Sequence, residues 1–250
     1  MLFHREKLLA FAHYPKTAGV SIGAWMTQTF PGCEFVAPDN RHLPVRRSMR
    51  SISACGFLVS RSLPSFLTTG LVHALPKQYR IFGVIREPFE MLVSLYEFWR
   101  DKGAAWSASR AEIVRIAASG SFRDFLGAVV RDRGLPPFEE FYDVGGPWWS
   151  NTRLLEFRSL DTDVRRLCLE LNVPAFEPLP RLNAAADRSA GRRDVASYAR
   201  EAGVLKAEVR RYYRWYYEHG AAAVTYSASP RVATAVSMRG WSPVPSTKTA

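Results

Sequence analysis

Lys16, Thr17, Gly19 and Ser21 crowd into one short stretch, His-Tyr-Pro-Lys-Thr-Ala-Gly-Val-Ser, at residues 13–21. An apolar run precedes it and an apolar, helix-spaced run follows, so the stretch reads as a turn from strand into helix. Such a turn presents unpaired backbone N–H groups and the positive end of a helix dipole. Gly19 lets the backbone approach an anion, Thr17 and Ser21 add hydroxyl donors, and Lys16 adds a point charge. The chemistry implied is a phosphate cradle. Its order is not that of an ATP or GTP loop, G-x-x-x-x-G-K-[ST], because the lysine precedes the single glycine. A second stretch, Val-Ile-Arg-Glu-Pro at 84–88, sets Arg86 at the end of another strand and Ser94 two turns into the next helix. An arginine and a hydroxyl facing one crevice suit a second phosphate. Taken singly, each has a plainer reading: Lys16 as a solvated charge, Arg86 as an ion-paired arginine beside an ordinary helix serine.

Periodicity supplies the elements that must position these residues. The run 8–14 reads as a buried strand ended by Pro15, and Ile22, Trp25, Met26 and Phe30 predict a helix over 17–30, stopped by Pro31-Gly32. A short strand is expected within 33–38; residues 39–55 read as basic and irregular, and 56–60 as a further strand. Next come a helix at 67–75, a central strand at 80–86, and a helix over 88–102 with Pro88 in its first turn, where a missing N–H costs least. Two more helices are predicted, one opened by a Ser109-x-x-Glu112 capping box and one over about 121–133. An aromatic loop at 136–151, a strand at 152–157, a helix at 159–173, a loop at 174–192 and two C-terminal helices complete the pattern, the last over 204–220. Residues 1–220 are expected to form a single domain, and 221–250, rich in Ala, Ser, Pro and Thr, a disordered tail. Strands alternating with helices imply an α/β protein with a central parallel sheet flanked by helices in three layers. Ligands of such sheets bind outside the carboxyl ends of the strands, where both basic turns lie.

The composition agrees with an anionic partner. The chain carries 34 Lys+Arg against 23 Asp+Glu, a net charge of +11, which attracts nucleic acid, anionic membrane, or phosphorylated and sulfated small molecules. Cys33, Cys55 and Cys168 are widely spaced, with neither a metal-ligand spacing nor a disulfide framework, and fit reduced, buried thiols in a cytoplasmic protein. The apolar run before Pro15 is far short of the roughly 20 residues of a membrane helix.

The two turns together resemble those of carbohydrate-type sulfotransferases. Residues 13–21 are similar to that family's H-I-P-K-T-G-G-T-S loop, and residues 84–96 to its R-D-P-x-x-R-x-x-S-x-Y segment. Residues 154–174 resemble the family's later strand–helix unit and 179–185 its following loop, so the resemblance spans roughly residues 8–220. It implies a fold related to nucleotide kinases, 3′-phosphoadenosine 5′-phosphosulfate (PAPS) as sulfuryl donor, and no metal. By position, Lys16, Thr17, Ala18, Gly19, Val20 and Ser21 would hold the 5′-phosphosulfate, Arg86 and Ser94 the 3′-phosphate, and Arg181 would close over the nucleotide. Two departures stand out. The family's second arginine is Met91 here, and the Gly-His segment that carries a catalytic base in some members has Phe57 and Leu58 in its place.

Sulfuryl transfer requires in-line positioning and charge stabilisation, with Lys16 the candidate at the bridging oxygen and a general base at the acceptor hydroxyl. His42, in the basic loop, is the candidate base and Glu34 the alternative, since other branches of the family use a glutamate after the first helix. His4, His13, His73 and His219 read as structural or marginal. The expected acceptor is a hydroxyl compound, a carbohydrate by the hint of Trp148 and Trp149, although core packing explains those tryptophans better. Competing readings are a PAPS-binding relative without catalysis, a nucleotide phosphotransferase, which lacks its Walker loop, and a basic nucleic-acid-binding protein. Tyr212, Tyr213, Trp215, Tyr216 and Tyr217 would serve the last reading by stacking on bases, but they suit the apolar face of a helix better.

Overall fold

Two short runs, buried almost throughout because both faces of the sheet are covered, build its centre. The computed structural model describes residues 1–38, 40–59, 79–102, 111–173, 178–180, 182 and 193–226. Strands β1 (Leu2–His4), β2 (Leu9–Ala12), β3 (Glu34–Phe35), β4 (Arg80–Ile85) and β5 (Thr152–Glu156) form one five-stranded sheet in the order β3-β1-β2-β4-β5. β2, β4 and β5 run parallel, with Phe11 opposite Phe82 and Val84 opposite Leu155. The expectation of a parallel sheet is corrected at one edge. β1 pairs antiparallel with both β2 and β3, so the sheet is mixed. A tight turn, in which the Leu8 N–H bonds the Arg5 carbonyl at 3.2 Å, reverses the chain between β1 and β2 and leaves no room for a parallel crossover. β1 escaped sequence reading because three residues are too few to show a period.

Helices cover both faces. Leu9, Phe11, Phe82, Val84 and Leu155 pack with Ile22, Trp25 and Met26 of α1 (Gly19–Thr29). Val164, Leu167 and Cys168 join that cluster from the helix at Leu160–Glu170. Ala10, Ala12, Ile81, Ile85 and Leu154 turn to the opposite face. There they meet Val45, Met49 and Ile52 of α2 (Val45–Val59) and the apolar residues of α3 (Pro88–Lys102). Also on that side lie α4 (Ala111–Ser119), α5 (Phe122–Val130) and the one-turn α6 (Phe138–Phe141). In chain order the helix at Leu160–Glu170 is α7, followed by α8 (Val195–Ala202), α9 (Leu205–Tyr212) and α10 (Arg214–Tyr226). Among the described residues no helix is long and apolar enough to cross a membrane.

Three elements differ from the sequence reading. Residues 45–55 of the basic stretch expected to be irregular, and 56–59 of the expected strand, belong to α2; Ser60 lies outside the described residues. Val45, Met49 and Ile52 are buried at helical spacing while Arg46, Arg47 and Arg50 stay exposed, an amphipathic pattern that the dense charge obscured. The aromatic loop contains α6 and a single 3-10 turn at Trp149–Asn151. The last expected helix is two, because Tyr213 (φ −100°, ψ 31°) leaves helical geometry, and the second runs to Tyr226. Met91 is fully buried in the core, so the missing second arginine is not a lost surface charge. The helix expected at 67–75 with His73, the capping serine Ser109, Arg181 and the tail beyond 226 lie outside the described residues.

A glycine in β4 sets the sheet's relation to the 136–151 segment. A Cβ on Gly83 would stand 2.2 Å from Cε1 of Tyr142, a fully buried ring whose hydroxyl donates to the Val84 carbonyl at 2.8 Å. Gly83→Ala is predicted to lower unfolding free energy by about 1–3 kcal/mol through overpacking. Tyr142→Phe should cost about 1 kcal/mol through the lost hydrogen bond. Urea midpoints read both effects, and an unmoved midpoint for Gly83→Ala would contradict the packing described.

Candidate functional site

The carboxyl ends of β2, β4 and β5 are adjacent, and each continues into residues of the site. After Ala12 the chain passes through 13–18 into α1 with Lys16 at φ 62° and Ala18 at φ 61°. Two non-glycine residues in the left-handed region, flanking Thr17, curl successive N–H groups toward one side. The first α1 bond runs from the Ile22 N–H to the Ala18 carbonyl at 3.0 Å, and Ala18 supplies no side-chain cap. The leading N–H groups of Gly19, Val20 and Ser21 thus open on the strand end, with the helix dipole behind them. This is the backbone half of an anion cradle.

The side chains modify that cradle. Thr17 is fully buried and its hydroxyl donates to the Tyr14 carbonyl at 2.9 Å, so it braces the turn. Ser21 accepts from the Leu182 N–H at 3.4 Å, which brings the late 178–182 segment against the first turn of α1. Arg181 belongs to that segment but lies outside the described residues. Val20 is half exposed at the mouth. The Lys16 ammonium lies 4.4 Å from the centroid of the Phe98 ring on α3. Ser94 is one turn earlier on the same helix face, half-buried.

Gly19 plays a different part from the one expected. A Cβ there would fall 1.6 Å from Nε2 of His13, so the missing side chain accommodates an imidazole and not an anion. His13 stacks on Phe11 (5.7 Å between centroids) and meets the His42 ring at 4.4 Å. His42 Nδ1 lies 3.0 Å from the His13 carbonyl. A carbonyl only accepts, so Nδ1 carries the hydrogen and Nε2 is the basic nitrogen of the neutral ring. His42 is therefore at the strand end, as expected. Glu34 is not: it sits exposed on β3, two strands from β2 and opposite Phe3. His4 is occupied through both ring nitrogens, by the Pro31 carbonyl at 2.9 Å and the Lys7 N–H at 3.1 Å.

Arg86 joins the two turns. Its Nη1 donates to the Lys16 carbonyl at 3.4 Å, and its guanidinium carbon stands 4.3 Å from the centroid of Phe157, just past β5. Its Nε is buried with no hydrogen-bond partner among the described residues. Burial pulls the guanidinium below its ordinary pKa, with Glu90 and Glu87 acting in the other direction, yet arginine stays charged in proteins. Those carboxylates are engaged elsewhere. Glu87 accepts from the Tyr217 hydroxyl at 2.6 Å and the Glu90 N–H at 2.7 Å, and Glu90 pairs with Arg158 at 2.7 Å. Phe98 and Phe157, the shelves beneath the two cations, were not singled out from the sequence. Phe98 follows Ser94 by four residues and Phe157 follows a strand directly, which are the signals that mark them.

The tyrosines of 212–217 pack inward. Tyr213 is fully buried, and Tyr212, Trp215, Tyr216 and Tyr217 rest against the core, as do Trp148 and Trp149. No family model, curated protein or solved structure matches the chain.

His13 carries a prediction in pH. Burial chiefly, then the neighbouring His42, Arg41 and Lys16 charges, hold its pKa well below 6.5. The folded state then binds fewer protons than the unfolded one below pH 6.5, so stability falls as pH drops beneath that value. The slope is at most about 1.4 kcal/mol per pH unit. Urea unfolding at descending pH should show this loss in the parent and a flatter profile in His13→Gln. Equal profiles would remove His13 as the titrating group.

Proposed function

We propose that this chain is a PAPS-dependent sulfotransferase with the three-layer, nucleotide-kinase-like fold of that family. The observation that carries the reading is Arg86, which spans the Lys16 turn and the end of β5 while its buried Nε lacks an acceptor. A buried cationic donor left unmatched is costly unless an anion completes it. The uncapped α1 terminus supplies a second anion position on the neighbouring strand end. Two anion positions across adjacent strand ends fit a nucleotide phosphorylated at both 5′ and 3′.

In this reading the backbone N–H groups of Gly19, Val20 and Ser21, with Lys16, hold the 5′-phosphosulfate, while Arg86 and Ser94 hold the 3′-phosphate. Thr17 and Ala18 shape the turn, and Arg181 is assigned over the nucleotide from the sequence resemblance alone. The donor supplies a sulfuryl group and leaves as the 3′,5′-bisphosphate. Lys16 offsets negative charge on the departing oxygen. His42, its Nδ1–H anchored on the His13 carbonyl, takes the proton of the acceptor hydroxyl at Nε2. His13 stays neutral beside it, which limits the positive charge opposing protonation of His42. The acceptor is a hydroxyl compound, with carbohydrate the leading class. The chemistry requires no metal, and a cytoplasmic setting fits the thiols.

Transfer from labelled PAPS to a mixed hydroxyl-acceptor panel tests the reading. Lys16→Ala should lose about 10²–10³-fold in rate, the scale of removing one charge-stabilising donor, with the fold intact by circular dichroism. Arg86→Ala should weaken bisphosphate binding by about tenfold or more. The 3′,5′-bisphosphate should raise the melting temperature more than ATP does. Equal stabilisation by ATP, or a Lys16→Ala variant as active as the parent, would sink the assignment.

A further inference from the structure

Arg86 has carboxylates close by, and among the described residues none of them pairs with it. Glu87 follows it in the chain and Glu90 lies in the first turn of α3, both near enough to act on its charge. Glu156 stands at the neighbouring strand end, opposite Ile85. A guanidinium offers a fixed fork of donors that a carboxylate matches, so an arginine beside a free carboxylate closes an ion pair. Here the Nε donor is buried without a partner among the described residues. Something withholds the carboxylates.

Each is withheld in its own way. Glu90 pairs with the exposed Arg158 at 2.7 Å. Glu156 is half-buried, and burial raises its pKa and favours the uncharged form. Glu87 is held at both oxygens. Its Oε2 accepts the Glu90 N–H at 2.7 Å and so caps the first turn of α3. Its Oε1 accepts the Tyr217 hydroxyl at 2.6 Å, from α10, 130 residues further along the chain.

Capping alone does not call for the tyrosine. One oxygen serves the Glu90 N–H; the other, without Tyr217, would be one residue from a cation with an unmet donor. Burial chiefly, and then the bond to Glu87, raise the pKa of Tyr217, so its hydroxyl keeps the proton and donates it to the carboxylate. A charge-assisted O–H bond of this length is a strong one. The ring is fixed as well: it rests against the core, with the Arg210 guanidinium 4.8 Å from its centroid. α10 packs on β5, and Phe157, just past that strand, lies under Arg86. The helix that holds Glu87 therefore sits on the strand that leads into the support of Arg86.

We propose that Tyr217 is a positioning residue for the anion site: its hydroxyl keeps the Glu87 carboxylate off Arg86 and so reserves the guanidinium for a phosphate of the ligand. The choice of ligand rests on the sulfotransferase reading, in which that phosphate is the 3′-phosphate of the donor. Without the hydroxyl, Glu87 becomes an internal competitor, and the fraction of molecules in which Arg86 stays open sets the apparent affinity.

Two measurements on the full chain test this. One is calorimetric titration of adenosine 3′,5′-bisphosphate. The other is the nitrogen-edited NMR signal of the Arg86 Nε–H in the unliganded protein, identified by its loss in Arg86→Lys. Tyr217→Phe should weaken binding by about tenfold or more, and its Arg86 signal should shift as Glu87 pairs with the guanidinium. Tyr217→Phe/Glu87→Gln should return affinity and signal to those of the parent, because the amide oxygen keeps the α3 cap and the side chain carries no charge. A tyrosine that only braced α10 would show no such rescue, since a second substitution in the same contact would add to the damage. Unchanged affinity in Tyr217→Phe, an unmoved Arg86 signal, or failure of Glu87→Gln to restore binding would each overturn the proposal. A parent that does not bind the bisphosphate sinks the donor reading alone. The Arg86 signals of the unliganded proteins then still decide whether Tyr217 holds Glu87 off the guanidinium.

Discussion

The site depends on one half-buried guanidinium. Arg86 leaves β4 at its carboxyl end, donates to the Lys16 carbonyl after β2, and lies over Phe157 after β5. Three adjacent strand ends are thereby tied to a single charged group. Its placement needs the parallel register of β2, β4 and β5, and a slip of one residue would send every side chain to the other face. Burying a guanidinium is expensive, and here the compensation is incomplete: one long hydrogen bond, an aromatic face, and carboxylates already bound to Tyr217 and Arg158. A charge held so loosely is poised for an outside anion.

How much of this was legible depended on signal length. β2, α1, β4, α3, β5 and α7 each carry enough apolar period, or a clear Pro or Gly stop, to be placed within a few residues. β1 and β3 span three and two residues and exist by pairing, not by propensity. That is why the mixed character of the sheet was missed. α2 failed for another reason. Val45, Met49 and Ile52 carried the helical period, but the exposed arginines between them read as an irregular basic loop.

The same division runs through the site. The placement of both basic turns at strand ends could be read from residue type because its signals are local: a lysine and hydroxyls at a helix start, an arginine at the end of an apolar run. Contacts across the chain could not. His13 filling the space over Gly19, His42 reaching back to the His13 carbonyl, and the Phe98 and Phe157 shelves all join residues distant in sequence. Met91 shows the converse, since a position where the resembling motif carries an arginine is fully buried core in this chain.

The turn after β2 and the end of β4 are among the places where the fold gives up stability. Lys16 and Ala18 hold left-handed backbone without being glycine, at about 1–2 kcal/mol each. α1 begins without a side-chain cap, a loss of about 1 kcal/mol. Arg86 Nε adds an unmatched buried donor of about 1–3 kcal/mol. Together these amount to several kcal/mol, a large share of the 5–15 kcal/mol of a typical domain. Left-handed backbone also occurs at Leu8, Arg133, Asp143 and Asn172, and unmatched buried side-chain atoms at Glu139, Asp143, Trp148 and Arg153, so residues 16–19 and 86 share such costs with other positions, while the sheet beneath them is closely packed on both faces. An anion seated between the two turns would satisfy the free α1 N–H groups and the Arg86 donor at once. Left-handed backbone at one strand end and an unmatched donor at the next are features that preorganisation for a doubly anionic ligand would use.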